Sequence, residues 1–305
     1  MRLLHCDYSD IANTVRLTEF FHKTIPPYAI LSHTWGADDE EVTFRDILSD
    51  TGQNKSGFRK IRFCAKQARE DGLQFFWIDS CCIDKSSSAE LSEAINSMFR
   101  WYQNAEKCYV YLSDVSIGGL SGDSSSARRK RKQYIRHSRW FTRSWTLQEL
   151  LAPTSVEFFS SDGRRLGDKA TQADMISHVT NIPRAALRGT SLSQFSVNER
   201  MSWAKGRNAK REEDAAYSLL GIFDICMPLI YGEGRAKAFA RLRKEVDQSR
   251  DQSIDPRVSS PDHQFVFVAR DCAQQRNIAT GTQINNAGSG TLFSSCRFDG
   301  HVQFG

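Results

Sequence analysis

Tyr28-Ala29-Ile30-Leu31-Ser32-His33 follows Pro26-Pro27, is apolar as far as Leu31, turns polar at Ser32 and His33, and is broken by Gly36. A short apolar run bounded by breakers is a buried strand, here with its polar residues at the carboxyl end. Phe75-Phe76-Trp77-Ile78 is a second such run, apolar at every position as a central parallel strand is. Between the two, Phe58, Ile61, Cys64, Ala65 and Ala68 recur at helical spacing until Gly72. Ser87 with Glu90 fits a capping box, and Leu91, Ala94, Ile95, Met98 and Tyr102 mark one face of the helix it opens. Cys108–Leu112 is a third strand and Ser155–Phe159 a fourth. Strand and helix alternate with short connections, which predicts an α/β fold: a parallel sheet with right-handed crossovers, flanked by helices.

Residues 115–133, rich in Ser, Gly and basic side chains, read as a surface loop. Trp140–Leu151 carries helical spacing up to Pro153. Beyond the fourth strand the pattern is helical, over about 199–205, 212–221 and 234–247, with a second capping box at Ser196 and Glu199. This is a helical C-terminal extension. From residue 249 the chain turns polar and reads as a linker into a flexible, low-complexity tail. Thr280–Gly305, with Asn, Gln, Gly and Ser around Val302 and Phe304, suits either a disordered segment or cross-β stacking of an amyloid-type signalling motif.

Composition sets the class. The chain has 305 residues, 40% hydrophobic and 25% charged, enough to bury a core without disulfides or metal. Its eight cysteines form no CxxC pair, so the reading is reduced, mostly buried thiols and no zinc site. The first ten residues hold no apolar signal region, and no 18-residue apolar stretch occurs. A cytoplasmic location is the expectation. The net charge of +5 is local: Arg128, Arg129, Lys130, Arg131, Lys132, Arg136, Arg139 and Arg143 fall in sixteen residues without an acid. A solvated loop accounts for them, and no nucleic-acid motif accompanies them, so a nucleic-acid partner is not expected.

Three blocks carry a family resemblance: AILSHTWGADDEEVTF from Ala29 to Phe44, FWIDSCCIDK from Phe76 to Lys85, and WFTRSWTLQEL from Trp140 to Leu150. In this order and spacing they resemble the heterokaryon-incompatibility (HET) domain of filamentous fungi. NERMSWA, REEDAAYSLLGIFD and PLIYGEG resemble its downstream part. The resemblance spans about 1–248, with a core of about 26–165 and a helical part of about 166–248. A more distant one is to TIR domains, whose flavodoxin- or Rossmann-like sheet has the same order of elements. The segment SRWFTRSWTLQEL is similar to the TIR segment that ends in Glu-Leu. In TIR domains that cleave NAD this glutamate is catalytic, and here it falls on Glu149.

The residues themselves allow two readings. Glu149 is either a surface helix glutamate paired with Arg143 or, as the resemblance implies, the carboxylate that stabilises a ribosyl cation. Ser32, His33, Trp35 and Gly36 follow the first strand, where open α/β sheets bind ligands. They either hold phosphate, ribose and base or form a strand-end turn. Asp79 stands at the same edge and either orients a ribose or caps. Asp84 is read as a cap. Arg143 either binds phosphate or neutralises Glu149. Trp101, Tyr102 and Trp140 read as core. Trp145 lies one turn before Glu149 and is read as core or as a pocket wall. Cys81 and Cys82 sit in a strand-like run and read as inert. No metal is invoked and no cofactor expected; NAD enters as substrate.

The resemblance implies an effector of fungal incompatibility and programmed cell death, self-associating, and activated by an NLR-type or amyloid-motif signalling partner. The chemical expectation is an NAD glycohydrolase; the alternative is a non-catalytic HET module that acts by assembly with partners.

Overall fold

The structure is a computed structural model. It describes residues 1–6, 15–21, 25–118 and 125–252. The segment 280–305, read as a signalling motif, lies outside the described residues.

Seven strands form one sheet in the order β2-β1-β4-β3-β5-β6-β7. They are β1 (Arg2–Cys6), β2 (Val15–Glu19), β3 (Tyr28–His33), β4 (Phe75–Trp77), β5 (Lys107–Leu112), β6 (Val156–Ser160) and β7 (Arg165–Asp168). The four strands expected from the sequence, β4, β3, β5 and β6, are adjacent and parallel. The parallel expectation fails at both margins. β1 pairs antiparallel with β4 and with β2, and β7 pairs antiparallel with β6. The sheet therefore begins well before residue 26. The hairpin strands were missed because Arg2, His5, Arg16 and Glu19 leave too few apolar positions for a clear alternation.

The chain leaves β3, passes through α1 (Phe44–Leu48) and α2 (Phe58–Glu70), and lays β4 on one side. After α3 (Asp79–Cys82) and α4 (Ser88–Gln103) it crosses back to lay β5 on the other side of β3. The direction of winding thus reverses between β3 and β5, and such a switch point opens a crevice at the carboxyl ends of the strands. β3 is buried at every position, so the strand that flanks the crevice is rigidly held.

Three local readings are corrected. The basic stretch forms helix α5 (Ser125–Arg136), not a loop: Ile135 is buried and anchors it, although its like charges oppose helix formation. Cys81 and Cys82 lie in the single turn α3, where apolar neighbours wind rather than extend. The segment Trp140–Leu151 is two pieces, a 3-10 turn Arg139–Thr142 and helix α6 (Thr146–Leu151), separated at extended Arg143.

The second half supplies α7 (Ala173–Thr180), α8 (Arg184–Leu187), α9 (Val197–Ser202), α10 (Asp214–Tyr217), α11 (Leu220–Phe223) and α12 (Arg235–Gln252). The full capping box at Ser196 and Glu199 is present. That at Ser87 is half formed: its hydroxyl accepts from Glu90 N, while the Glu90 carboxylate turns to Asp84 N at 2.8 Å and to Arg2. Gly221 is required by packing, since a Cβ there would lie 2.0 Å from the Phe99 side chain of α4.

Cys64, Cys81, Cys82 and Cys108 are free and buried. Burial pushes the Cys81 thiol up to about 12, so it carries no thiolate near neutrality. No described helix is long and apolar enough to cross a membrane.

Candidate functional site

Ser32, one residue before the end of β3, is fully buried at the switch point. The Ser32 hydroxyl donates to Glu149 Oε2 and accepts from Trp140 Nε1 at 2.8 Å. One small side chain thus joins the strand to the 3-10 turn and to α6. Tyr102, on α4, donates to the Leu31 carbonyl at 3.0 Å beside the same carboxyl. Glu149 is 7% exposed and is not the surface glutamate that spacing alone allowed. Burial pushes its carboxyl up to about 8; the Ser32 hydrogen bond and the charges of Arg143 and Arg207 pull the other way, and nearby Asp79 adds to the rise. At pH 7 the group is mostly neutral.

A second cluster forms the rim. His33 Nε2 meets Asp79 Oδ1 at 2.9 Å, and Trp35 Nε1 donates to Asp79 Oδ2 at 3.1 Å. The Lys85 ammonium reaches Asp79 Oδ2 at 3.3 Å and lies 3.6 Å from the centre of the Trp35 ring. Burial works against ionisation of Asp79, but Lys85 and the His33 hydrogen bond prevail and hold its carboxyl far below the usual range. Burial first, and the Lys60 charge second, keep His33 below its ordinary value, so it is neutral at pH 7. A neutral ring that donates from Nε2 leaves Nδ1 as an acceptor, and that buried atom has no partner.

The loop between cluster and helix is fastened from beneath. Gly36 N donates to Glu41 Oε1 at 2.6 Å. Lys60, on α2, pairs with the same oxygen and donates to the Thr34 carbonyl at 3.1 Å. Lys60 and Glu41 are both buried, an ion pair that no sequence pattern announced. Gly36 therefore contributes a backbone donor to the loop's own anchor. Asp84 does not cap α4: its Oδ1 accepts from Ser86 N at 3.0 Å and Ser86 Oγ at 2.6 Å, in a turn just before the cap.

Trp145 packs against the core, and the charge of Arg143 acts on Glu149. Trp145 lies beside Asp214, which Tyr231 Oη reaches at 3.0 Å. The Trp145 indole thus faces the helical extension. Arg143 bridges to Asn208 through its backbone, and its carbonyl accepts from Arg207 Nη1 at 2.9 Å. The cation read for Arg143 is matched by a second one, Arg207, which is 5% exposed and which sequence reasoning missed. The glycine turn Tyr231–Gly234 is structural: Glu213 Oε1 accepts from Gly232 N at 2.8 Å and Gly234 N at 3.0 Å. A cavity of about 320 Å³ opens among the described residues at the other end of β3, lined by Ile25, Pro27, Tyr28, Trp101 and Glu106.

The sequence model of the family described as heterokaryon incompatibility protein (HET) matches residues 28–133. This chain carries a HET domain. Over 264 residues it is 54% identical to the vegetative incompatibility protein HET-E-1 of Podospora anserina, a match that covers 86% of this chain. The chain spans 19% of that relative's length. No solved structure matches it. The family match ends before Glu149, whereas the relative's identity extends over most of the chain.

Proposed function

We propose that this HET domain acts in fungal vegetative incompatibility, as the name of its relative states for that protein, and that its chemistry is TIR-like cleavage of NAD. The observation that carries the chemical reading is the Ser32–Glu149 hydrogen bond, a buried carboxyl held at the switch point of a doubly wound sheet. The parallel strands run in the order of flavodoxin-like sheets, which place ligands at this crevice.

In the reaction the bond between the ribose C1′ and the nicotinamide nitrogen breaks. Its electron pair leaves with the ring, which becomes neutral nicotinamide. The ribosyl cation takes up water, which releases a proton. Glu149 is the carboxylate that stabilises that cation. Its high resting pKa is compatible with this role, because a positively charged pyridinium beside it favours the ionised form. Asp79, Trp35 and His33 line the rim where ribose hydroxyls and a base are held. Arg143 stands near for a phosphate. The active form is self-associated, in the cytoplasm, and assembled by an NLR-type or amyloid-motif signalling partner.

The second reading, a non-catalytic module that signals by assembly, rests on closure. Glu149 is nearly sealed, and the cavity of about 320 Å³ lies at the opposite end of β3. The two readings separate in one experiment. Purified protein, driven to oligomerise through a fused assembly domain, is incubated with NAD beside Glu149→Gln. Release of nicotinamide by the first and not by the second supports the enzyme. No release by a folded, assembled sample leaves the assembly reading.

A further inference from the structure

The segment after α9 grips the helix that carries Glu149. Ser144 N donates to the Asn208 carbonyl at 2.9 Å, and Asn208 N donates to the Thr142 carbonyl at 2.6 Å. Between these backbone bonds lies Arg207. Its Nε donates to the Trp203 carbonyl at 3.2 Å, and its Nη1 donates to the Arg143 carbonyl and to Thr146 Oγ1, both at 2.9 Å. Thr146 Oγ1 in turn donates to the Trp140 carbonyl at 2.7 Å, and Trp140 Nε1 holds Ser32. A continuous chain of hydrogen bonds therefore runs from Arg207 through the first turn of α6 and the 3-10 turn to the hydroxyl that meets Glu149.

Arg207 is also a buried cation without a salt bridge among the described residues, and its Nη2 has no partner. A guanidinium cannot shed its charge as a lysine does, so burial must be offset by a counter-charge or by many donors placed well. Three hydrogen bonds are too few to use all five of its N–H groups. The carboxyl that acts on Arg207 electrostatically is Glu149.

We propose that Arg207 is a positioning residue for Glu149: it fixes the first turn of α6 by its fork and supplies the fixed positive charge against which the Glu149 carboxyl ionises. The proposal deepens the reading of Glu149 as the reacting carboxylate. It also places part of the working site about seventy residues beyond the end of the family match at residue 133. The groups that face Glu149 from the surrounding elements are Asp79 on α3, Tyr102 on α4, Cys108 on β5, and Arg143 and Arg207. Asp79, Tyr102 and Cys108 do not stabilise the ionised form by charge. Arg143 exerts the larger charge effect on Glu149 but is partly exposed, so solvent screens it; Arg207 is the buried cation of the two.

The test follows the titration of Glu149 in the full chain, by carbon NMR of side-chain-labelled glutamate, with Glu149→Gln identifying the signal. Arg207→Gln is expected to move the midpoint upward by about one pH unit or more. Arg207→Lys, which keeps a charge but not the fork, is expected to bring it back toward the wild-type midpoint. An unmoved midpoint in folded Arg207→Gln overturns the proposal. If Arg207→Gln does not fold, the apolar change Arg207→Met, which removes the charge, takes its place in a cycle with Glu149→Gln read by chemical denaturation. The two changes are expected to be non-additive at pH 9, where Glu149 is ionised, and additive at pH 5, where it is neutral; additivity at both overturns the proposal. Neither readout uses NAD. A protein without NAD turnover removes the enzymatic reading and leaves this test to be decided on its own result.

Discussion

Glu149 and Asp79 are two carboxyls at one edge of one sheet, close enough that the charge of Asp79 raises the pKa of Glu149, yet they sit in opposite states. Asp79 has an ammonium at 3.3 Å, an imidazole at 2.9 Å and an indole N–H at 3.1 Å, and it is ionised. Glu149 has a serine hydroxyl and a neighbourhood of Trp140 and Tyr102, and at neutral pH it keeps its proton. Burial opposes charge at both positions, so the partners decide. Two carboxyls with pKa values driven apart can take different tasks: one a fixed anion that shapes the rim, the other a group whose charge appears only when something positive arrives.

Four experiments break or sharpen that contrast. The largest effect is expected at Lys60, beneath the rim. Lys60→Met leaves Glu41 buried and unpaired and releases the Thr34 carbonyl and, through Glu41, the Gly36 turn. A loss of about 3–5 kcal/mol in chemical denaturation is expected. Next, Glu149→Gln is expected to lower kcat for NAD cleavage by ~10²-fold or more, while Asp79→Asn raises KM with the smaller effect on kcat. Equal kcat losses would erase the division of tasks.

Third is the pH dependence of stability. Folded Glu149 keeps its proton to about pH 8, and its ordinary value is 4.5. Between these the folded state holds more protons, so stability falls as pH rises, with a limiting slope of about 1.4 kcal/mol per unit, and levels off above 8. Glu149→Gln should remove that slope. Asp79 has the opposite sign: its depressed pKa gives stability that is lost as pH falls through and below the usual carboxylate range, and Asp79→Asn should flatten that acid limb. The smallest effect is at Lys85, 33% exposed against Asp79 at 22%. Lys85→Gln is expected to cost ~1 kcal/mol or less in denaturation and to vary with salt.

The central strands could be read because each is an apolar run with breakers, and burial on both faces leaves no other solution for such runs. Ser32 and Asp79 could be read at one edge from their places at strand ends, whereas Glu149 was pointed to only by the family resemblance, its spacing alone allowing a surface position. What escaped was set by distant contacts. Arg207 sits in a turn among AKGRNAK with no period to mark it, and only the fold brings it to α6. Nothing in the sequence singled out Lys60, whose ammonium ends under the rim loop. Cys81 and Cys82 looked like strand because apolar composition alone does not separate one helical turn from an extended run. Like charges hid α5, whose fold depends on the burial of Ile135.

The antiparallel margins of the sheet bear on how copies of the domain come together. A parallel sheet that ended at β4 and β6 would expose apolar edges to pairing by any extended chain. Instead the outermost strands are β2, VRLTE, and β7, RLGD, both short and both charged. Such edges discourage strand addition. Contacts between two copies of the domain are therefore steered away from the sheet edges and toward helices and loops.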